Sequence, residues 1–145
     1  MIKQQAQAIW RGGLKEGSGS FRANTVSGEY SFSSRFEGGA GSTPEELIAA
    51  SHASCFSMFL SLVLGKQGHT ADAIQTTATV YLDPQGPAIR LIELETEADV
   101  PDLAEDRFRE FAEEAKENCP ISKALETVEI VLRSAKLTRV TAHRP

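Results

Sequence analysis

Cysteine is scarce: the 145 residues hold only two, Cys55 and Cys119, and no Cys-x-x-Cys pair. That excludes a disulfide scaffold. Together with three histidines (His52, His69, His143), the two cysteines also lack the paired ligand spacing of a structural zinc site, so no metal is expected. Basic clusters are missing as well. Fifteen Lys and Arg stand against 20 Asp and Glu, for a net charge of −5. A surface that neutralises phosphates needs the opposite balance, so nucleic acid is not an expected partner. The first residues, Met1-Ile2-Lys3-Gln4-Gln5, have neither the charged nor the apolar region of a signal peptide. A cytoplasmic location is therefore expected, where thiols stay reduced. The most apolar stretch, 47–64, carries His52 and Ser51, Ser54, Ser57 and Ser61. It reads as a buried core helix rather than a membrane span. Neither an internal repeat nor a linker interrupts the chain.

What remains is ordinary globular material: 41% apolar and 24% charged residues, enough for one core. A single domain over 1–137 with a tail at 138–145 is expected. The first third reads as short strands at 5–10, 21–26 and 29–36, separated by glycine-rich breaks. Thr43-Pro44-Glu45-Glu46 then starts a helix, with Thr43 as cap, Pro44 at the first helical position and Glu46 closing a capping box. That helix runs to about Leu64 and is apolar nearly all round, so other elements must wrap it. A hairpin follows at 74–82 and 88–100. Phe108, Phe111, Ala112 and Ala115 then share a helical face. Pro120 opens a short helix, and 128–132 is a closing strand. The fold class is α+β, an antiparallel sheet around a long buried helix.

The plain reading of each cysteine is a small buried hydrophobe. Context adds to it. Cys119-Pro120 at a helix start places a thiol where backbone N–H groups favour a thiolate. Cys55 sits mid-helix, where burial raises the pKa of a thiol unless a cation reaches it. His52, three residues earlier on the same face, offers a conceivable Cys–His pair. Arg35, beside the glycine loop, offers a permanent charge.

Four segments taken in order, Arg35-Phe36-Glu37-Gly38, Thr43-Pro44-Glu45-Glu46-Leu47, Ala53-Ser54-Cys55-Phe56-Ser57-Met58 and Cys119-Pro120-Ile121-Ser122, resemble the OsmC/Ohr family of bacterial thiol peroxidases. These are the osmotically inducible protein C and organic hydroperoxide resistance proteins. The resemblance spans about residues 5–137, and the arginine placement resembles the OsmC branch. Thr43 stands where the family pattern has asparagine, and the tail is longer than the pattern. The resemblance implies an antioxidant peroxidase of the oxidative or osmotic stress response, with no metal, haem or flavin. Cys55 would attack the hydroperoxide and become a sulfenic acid, and Cys119 would resolve it as a disulfide. Arg35 would stabilise the thiolate and polarise the peroxide, with Glu45 orienting Arg35. A thiol or dithiol, such as a small thiol or a lipoylated protein, would reduce the enzyme. It also implies an intertwined homodimer. Glu45 and Cys55 stand ten positions apart on one helix, roughly 15 Å at about 1.5 Å per residue. Glu45 would therefore most simply serve a neighbouring chain's thiol.

Two other readings stand beside this one. A long helix against antiparallel sheet also suits a hot-dog acyl-thioester hydrolase, with Glu45 or Glu46 catalytic and both cysteines dispensable. An apolar-ligand binder would use the cysteines for packing alone. Phe32, Phe36, Met58 and Phe59 are candidate pocket residues under the peroxidase reading and core residues otherwise.

Overall fold

A computed structural model describes residues 1–138; most of the expected tail lies outside the described residues. The chain divides within one helix into two compact units, Met1–Leu47 and the part from Ile48 on.

In the first unit, β1 (Gln7–Arg11), β2 (Ser18–Arg22) and β3 (Ser27–Tyr30) form an antiparallel sheet in the order β1-β2-β3. β2 begins at the glycine-rich break expected to separate strands. Gly19 belongs inside the strand because it pairs with Trp10 on one side and Tyr30 on the other. The two rings, 5.5 Å apart, close over it, and a Cβ there would meet Tyr30 at 2.6 Å. A further difference lies at Phe32–Phe36, expected as strand but folded as helix α1. Ser31 caps it: its hydroxyl accepts from the Ser34 N–H at 3.0 Å, and Ser34 Oγ accepts from the Ser31 N–H at 2.9 Å. This reciprocal cap overrides the strand preference of two phenylalanines.

The long helix, α2, runs unbroken from Pro44 to Lys66. Its expected capping box is present, with Thr43 Oγ1 accepting from the Glu46 N–H at 3.0 Å and Glu46 Oε1 from the Thr43 N–H at 3.2 Å. The helix passes Gly65 by one residue, a shift ordinary for helix ends. By length and composition it could cross a membrane, but Phe56, Leu60, Val63 and Leu64 lie in the core of the second unit. Burial all round, expected from the sequence, is not what the single chain shows. The stripe opposite the core is open, with Met58 78% and Leu62 48% exposed.

In the second unit, β4 (Ala73–Asp83) and β5 (Ala88–Asp99) form the expected antiparallel hairpin. Strand β5 alternates strictly: Ile92, Leu94, Thr96 and Ala98 are buried, while Glu95 and Glu97 face out. Helix α3 (Glu105–Asn118) buries Phe108, Phe111, Ala112 and Ala115, the face expected. Helix α4 (Pro120–Ala124) follows after one residue. The closing strand β6 (Glu129–Leu137) is longer than expected and pairs with β5 in parallel. The second sheet, ordered β4-β5-β6, is therefore mixed rather than antiparallel. The cause is the α3–α4 crossover, which returns the chain to the end where β5 began. A hydroxyl ladder ties α2 to this sheet. Ser57 Oγ donates to Thr76 Oγ1 at 2.8 Å, and Thr76 and Thr96 hydroxyls lie 3.0 Å apart.

Candidate active site

The first unit holds two of the expected site residues, Arg35 and Glu45. Arg35 occupies the last turn of α1, and that turn is held from two sides. The Ser31–Ser34 cap fixes its start, and Ser34 Oγ, buried, donates to the Ser42 carbonyl at 2.8 Å. Gly41, at φ +119°, allows the loop to pass close to Ser34, whose Cβ would stand 3.2 Å from an added methyl. The loop then delivers Glu45 into the first turn of α2. Arg35 Nε and Nη2 donate to Glu45 Oε1 at 2.9 and 2.7 Å. Glu45 is buried, and its Oε2 has no hydrogen-bond partner among the described residues. Two donors on one oxygen fix the guanidinium plane and leave Nη1 uncommitted to Glu45. The guanidinium carbon also lies 5.4 Å from the Phe36 ring centroid. Beside it, Trp10, Leu14, Tyr30, Phe32 and Phe36 line a mostly apolar cavity of about 290 Å³.

The second unit holds the other two expected site residues, the thiols of Cys55 and Cys119. Cys55 is half-buried on α2 and Cys119 fully buried, and both are free. Cys119 is at once the last cap of α3 and the N-cap of α4. Its sulfur accepts from the Ser122 N–H at 3.4 Å, the role a serine or aspartate oxygen plays at other helix starts. Ser122 Oγ lies 3.1 Å from the same sulfur. Burial pushes the Cys55 thiol up; the Ile121 backbone N–H, donating to it, pulls the other way, and the Cys119 thiol within hydrogen-bonding reach raises it further. The first turn of α4 thus serves both sulfurs, one N–H to each.

The structure brings Arg35 together with Glu45 and Cys55 together with Cys119. A His52–Cys55 pair, conceivable from their spacing, is not formed by Nε2, which is engaged elsewhere. His52 is fully buried and its Nε2 lies 2.8 Å from Ser122 Oγ. Burial holds the imidazole below its ordinary pKa. Ser122, to which the sequence assigns no role, contacts both His52 and Cys119; its link to His52, 70 positions away, has no local signal. Glu46 is occupied in the α2 cap. Of the four candidate pocket residues, Phe32 and Phe36 line the cavity beside Arg35. Met58 is exposed, and Phe59 lines a separate groove with Val63, Lys66 and Pro120.

Comparison with known proteins identifies the family. Residues 37–133 match the family described as OsmC-like protein. Over 131 residues the chain is 45% identical to the peroxiredoxin OsmC of Escherichia coli, covering 86% of this chain and 90% of that one. Among solved structures, an OsmC-like protein from Mycoplasma pneumoniae superposes with a TM-score of 0.72 at 17% identity, over 94% of this chain and 99% of that one. The organic hydroperoxide resistance protein OhrB of Bacillus subtilis gives 0.62 at 25% identity, over 92% and 98%. The hot-dog hydrolase and apolar-binder readings fall with these matches. The chain belongs to the OsmC-like family, on the OsmC branch, and is a cysteine-based thiol peroxidase.

Proposed function

We propose that the protein reduces organic hydroperoxides, and hydrogen peroxide, in a two-cysteine cycle. The observation that carries this is the adjacency of two free thiols at the first turn of α4, each with its own backbone N–H. Cys55, as thiolate, attacks the terminal oxygen of the hydroperoxide. The O–O bond breaks, the alkoxide takes a proton and leaves as alcohol, and Cys55 becomes a sulfenic acid. The Cys119 sulfur then displaces hydroxide from Cys55, giving a disulfide and water. An external thiol or dithiol, a small thiol or a lipoylated protein, restores both thiols.

Arg35, held by Glu45, supplies the cation that the Cys55 thiol needs against its burial, and it polarises the peroxide. Glu45 and Cys55 are ten positions apart on the unbroken α2, so the pair serves Cys55 of a second copy. The functional unit is accordingly a homodimer. The open α2 stripe, with Met58 and Leu62 exposed among Ser54 and Ser61, supports that reading. The apolar cavity beside Arg35 takes the alkyl part of the hydroperoxide. The protein works in the cytoplasm under oxidative or osmotic stress.

Counting thiols on the reduced protein, before and after one equivalent of cumene hydroperoxide, tests the cycle. Two free thiols per chain should fall to none and return with dithiothreitol. Two thiols still free after prolonged exposure would refute it.

A further inference from the structure

We propose that Ser122 and His52 form a proton relay for Cys119, drawing off the thiol proton as its sulfur closes the disulfide with Cys55. Ser122 touches the reacting sulfur, and His52 is a positioning residue acting through it. The inference rests on the two-cysteine cycle above and concerns only its second step.

Three buried groups stand in line. Cys119 Sγ lies 3.1 Å from Ser122 Oγ, and Ser122 Oγ lies 2.8 Å from His52 Nε2. Their relative exposures are 0%, 4% and 0%. Packing alone does not account for them. The cap of α4 is completed by the Cys119 sulfur and the Ser122 N–H, so the Ser122 hydroxyl is not needed for it. A buried imidazole is costly, and this one leaves Nδ1 with no hydrogen-bond partner among the described residues. Such an unsatisfied group calls for a role. The relay uses one of the two directions of donation that these distances allow, the one that places the imidazole hydrogen on Nδ1. The Cys119 S–H donates to Ser122 Oγ, and the Ser122 O–H donates to His52 Nε2. Burial keeps the imidazole neutral near pH 7, ready to accept.

The step balances within these groups. The Cys119 S–H bond breaks, and its proton passes to Ser122 Oγ as the serine proton passes to Nε2. The freed electron pair forms the S–S bond, and the Cys55 S–O bond breaks. Cys119 sulfur is oxidised and Cys55 sulfur reduced, each by one unit. No carboxylate backs Nδ1 among the described residues, so the imidazolium is short-lived. Its proton returns through the serine as hydroxide leaves as water.

Rapid-quench kinetics on the reduced protein with one equivalent of cumene hydroperoxide separate the steps. Hydroperoxide consumption reports the first, and disulfide by mass after alkylation reports the second. In Ser122→Ala and His52→Gln, disulfide formation should slow by about a hundredfold relative to hydroperoxide consumption. The sulfenic acid should then persist long enough for capture by dimedone. Ser122→Thr, which keeps the hydroxyl, should restore the ratio. In the wild-type protein the disulfide step should show a normal solvent deuterium isotope effect, a readout that needs no variant to fold. A ratio within about threefold of wild type in folded Ser122→Ala and His52→Gln, or no normal isotope effect, would overturn the relay. Failure of the wild-type protein to consume hydroperoxide would instead refute the cycle itself.

Discussion

Replacing Arg35 by methionine separates what the arginine does for the fold from what it does for chemistry. The Glu45 side chain is 9% exposed and that of Arg35 35%, and both arginine donors fall on a single carboxylate oxygen. Removing one partner of a fully buried pair costs about 3–5 kcal/mol, because the remaining charge is stranded. Solvent around the part-exposed arginine reduces that toward about 2–3 kcal/mol. At about 3 °C per kcal/mol for a chain of this size, the thermal midpoint of Arg35→Met should fall by about 6–9 °C. Adding Glu45→Gln removes the stranded charge, so the double variant should recover more than half of the loss. Turnover should not follow. Without a cation, thiolate and transition state both lose electrostatic support, and peroxidase activity should fall by about 10²–10³-fold in single and double variant alike. Differential scanning calorimetry and a coupled dithiol-oxidation assay supply the two readouts. Recovery of turnover together with stability in the double variant would show that Arg35 serves only as the partner of Glu45. An unchanged midpoint in Arg35→Met would refute the burial argument.

Other expectations follow from the same geometry. Cys119→Ser should consume one equivalent of hydroperoxide and then stall as a sulfenic acid, seen as a single dimedone adduct at Cys55; sustained dithiol-driven turnover at the wild-type rate would remove Cys119 from the cycle. Burial raises the Cys55 thiol, so Arg35→Met should move the pH midpoint of Cys55 alkylation by iodoacetamide upward; an unchanged midpoint would mean that Arg35 does not reach that sulfur. His52 is held below its ordinary value of 6.5 by burial, so the unfolded chain takes up its proton first as pH falls. The stability it contributes is present above about pH 6.5 and is lost as pH drops through the folded-state value; His52→Gln should flatten that limb of a midpoint-against-pH curve. Met58→Glu on the open face of α2 should shift sedimentation from dimer to monomer and lower turnover with it, and an active dimeric variant would place the interface elsewhere.

Much of this arrangement is legible in the chain because its signals are local. Thr43 and Glu46 mark the start of α2 at the spacing of a capping box, and the period of Phe108, Phe111, Ala112 and Ala115 marks the buried face of α3. Cys119-Pro120 marks a helix start with a sulfur at the cap. What escapes is non-local or chemically disguised. Ser31 and Ser34 cap α1 with a serine where the usual pattern has glutamate or glutamine, so two phenylalanines carry the local reading toward strand. The parallel pairing of β6 with β5 depends on the crossover between them, which hydrophobic alternation does not encode. Likewise the His52–Ser122 contact exists only once α2 and α4 are packed. The spacing of His52 and Cys55 suggests a different partner for that imidazole.

The ladder of Ser57, Thr76 and Thr96 bears on how accurately Cys55 can be delivered. Hydrocarbon surfaces slide past one another at little cost as long as contact area is preserved. Hydroxyls that must meet at 2.8 and 3.0 Å do not, because displacing one breaks a part-buried hydrogen bond worth about 0.5–1.5 kcal/mol. Ser57 stands two residues beyond Cys55, so the ladder indexes the axial position of α2 against the strands behind it. A helix that crept by even part of a turn would carry the sulfur away from the Ile121 N–H and Cys119 together. The same indexing fixes the register of β4 against β5, since a one-residue slip would turn Thr76 to the other face and break its contact with Thr96. Three small polar side chains thereby set the tolerance of the sulfur–sulfur encounter that the proposed cycle requires in every turnover.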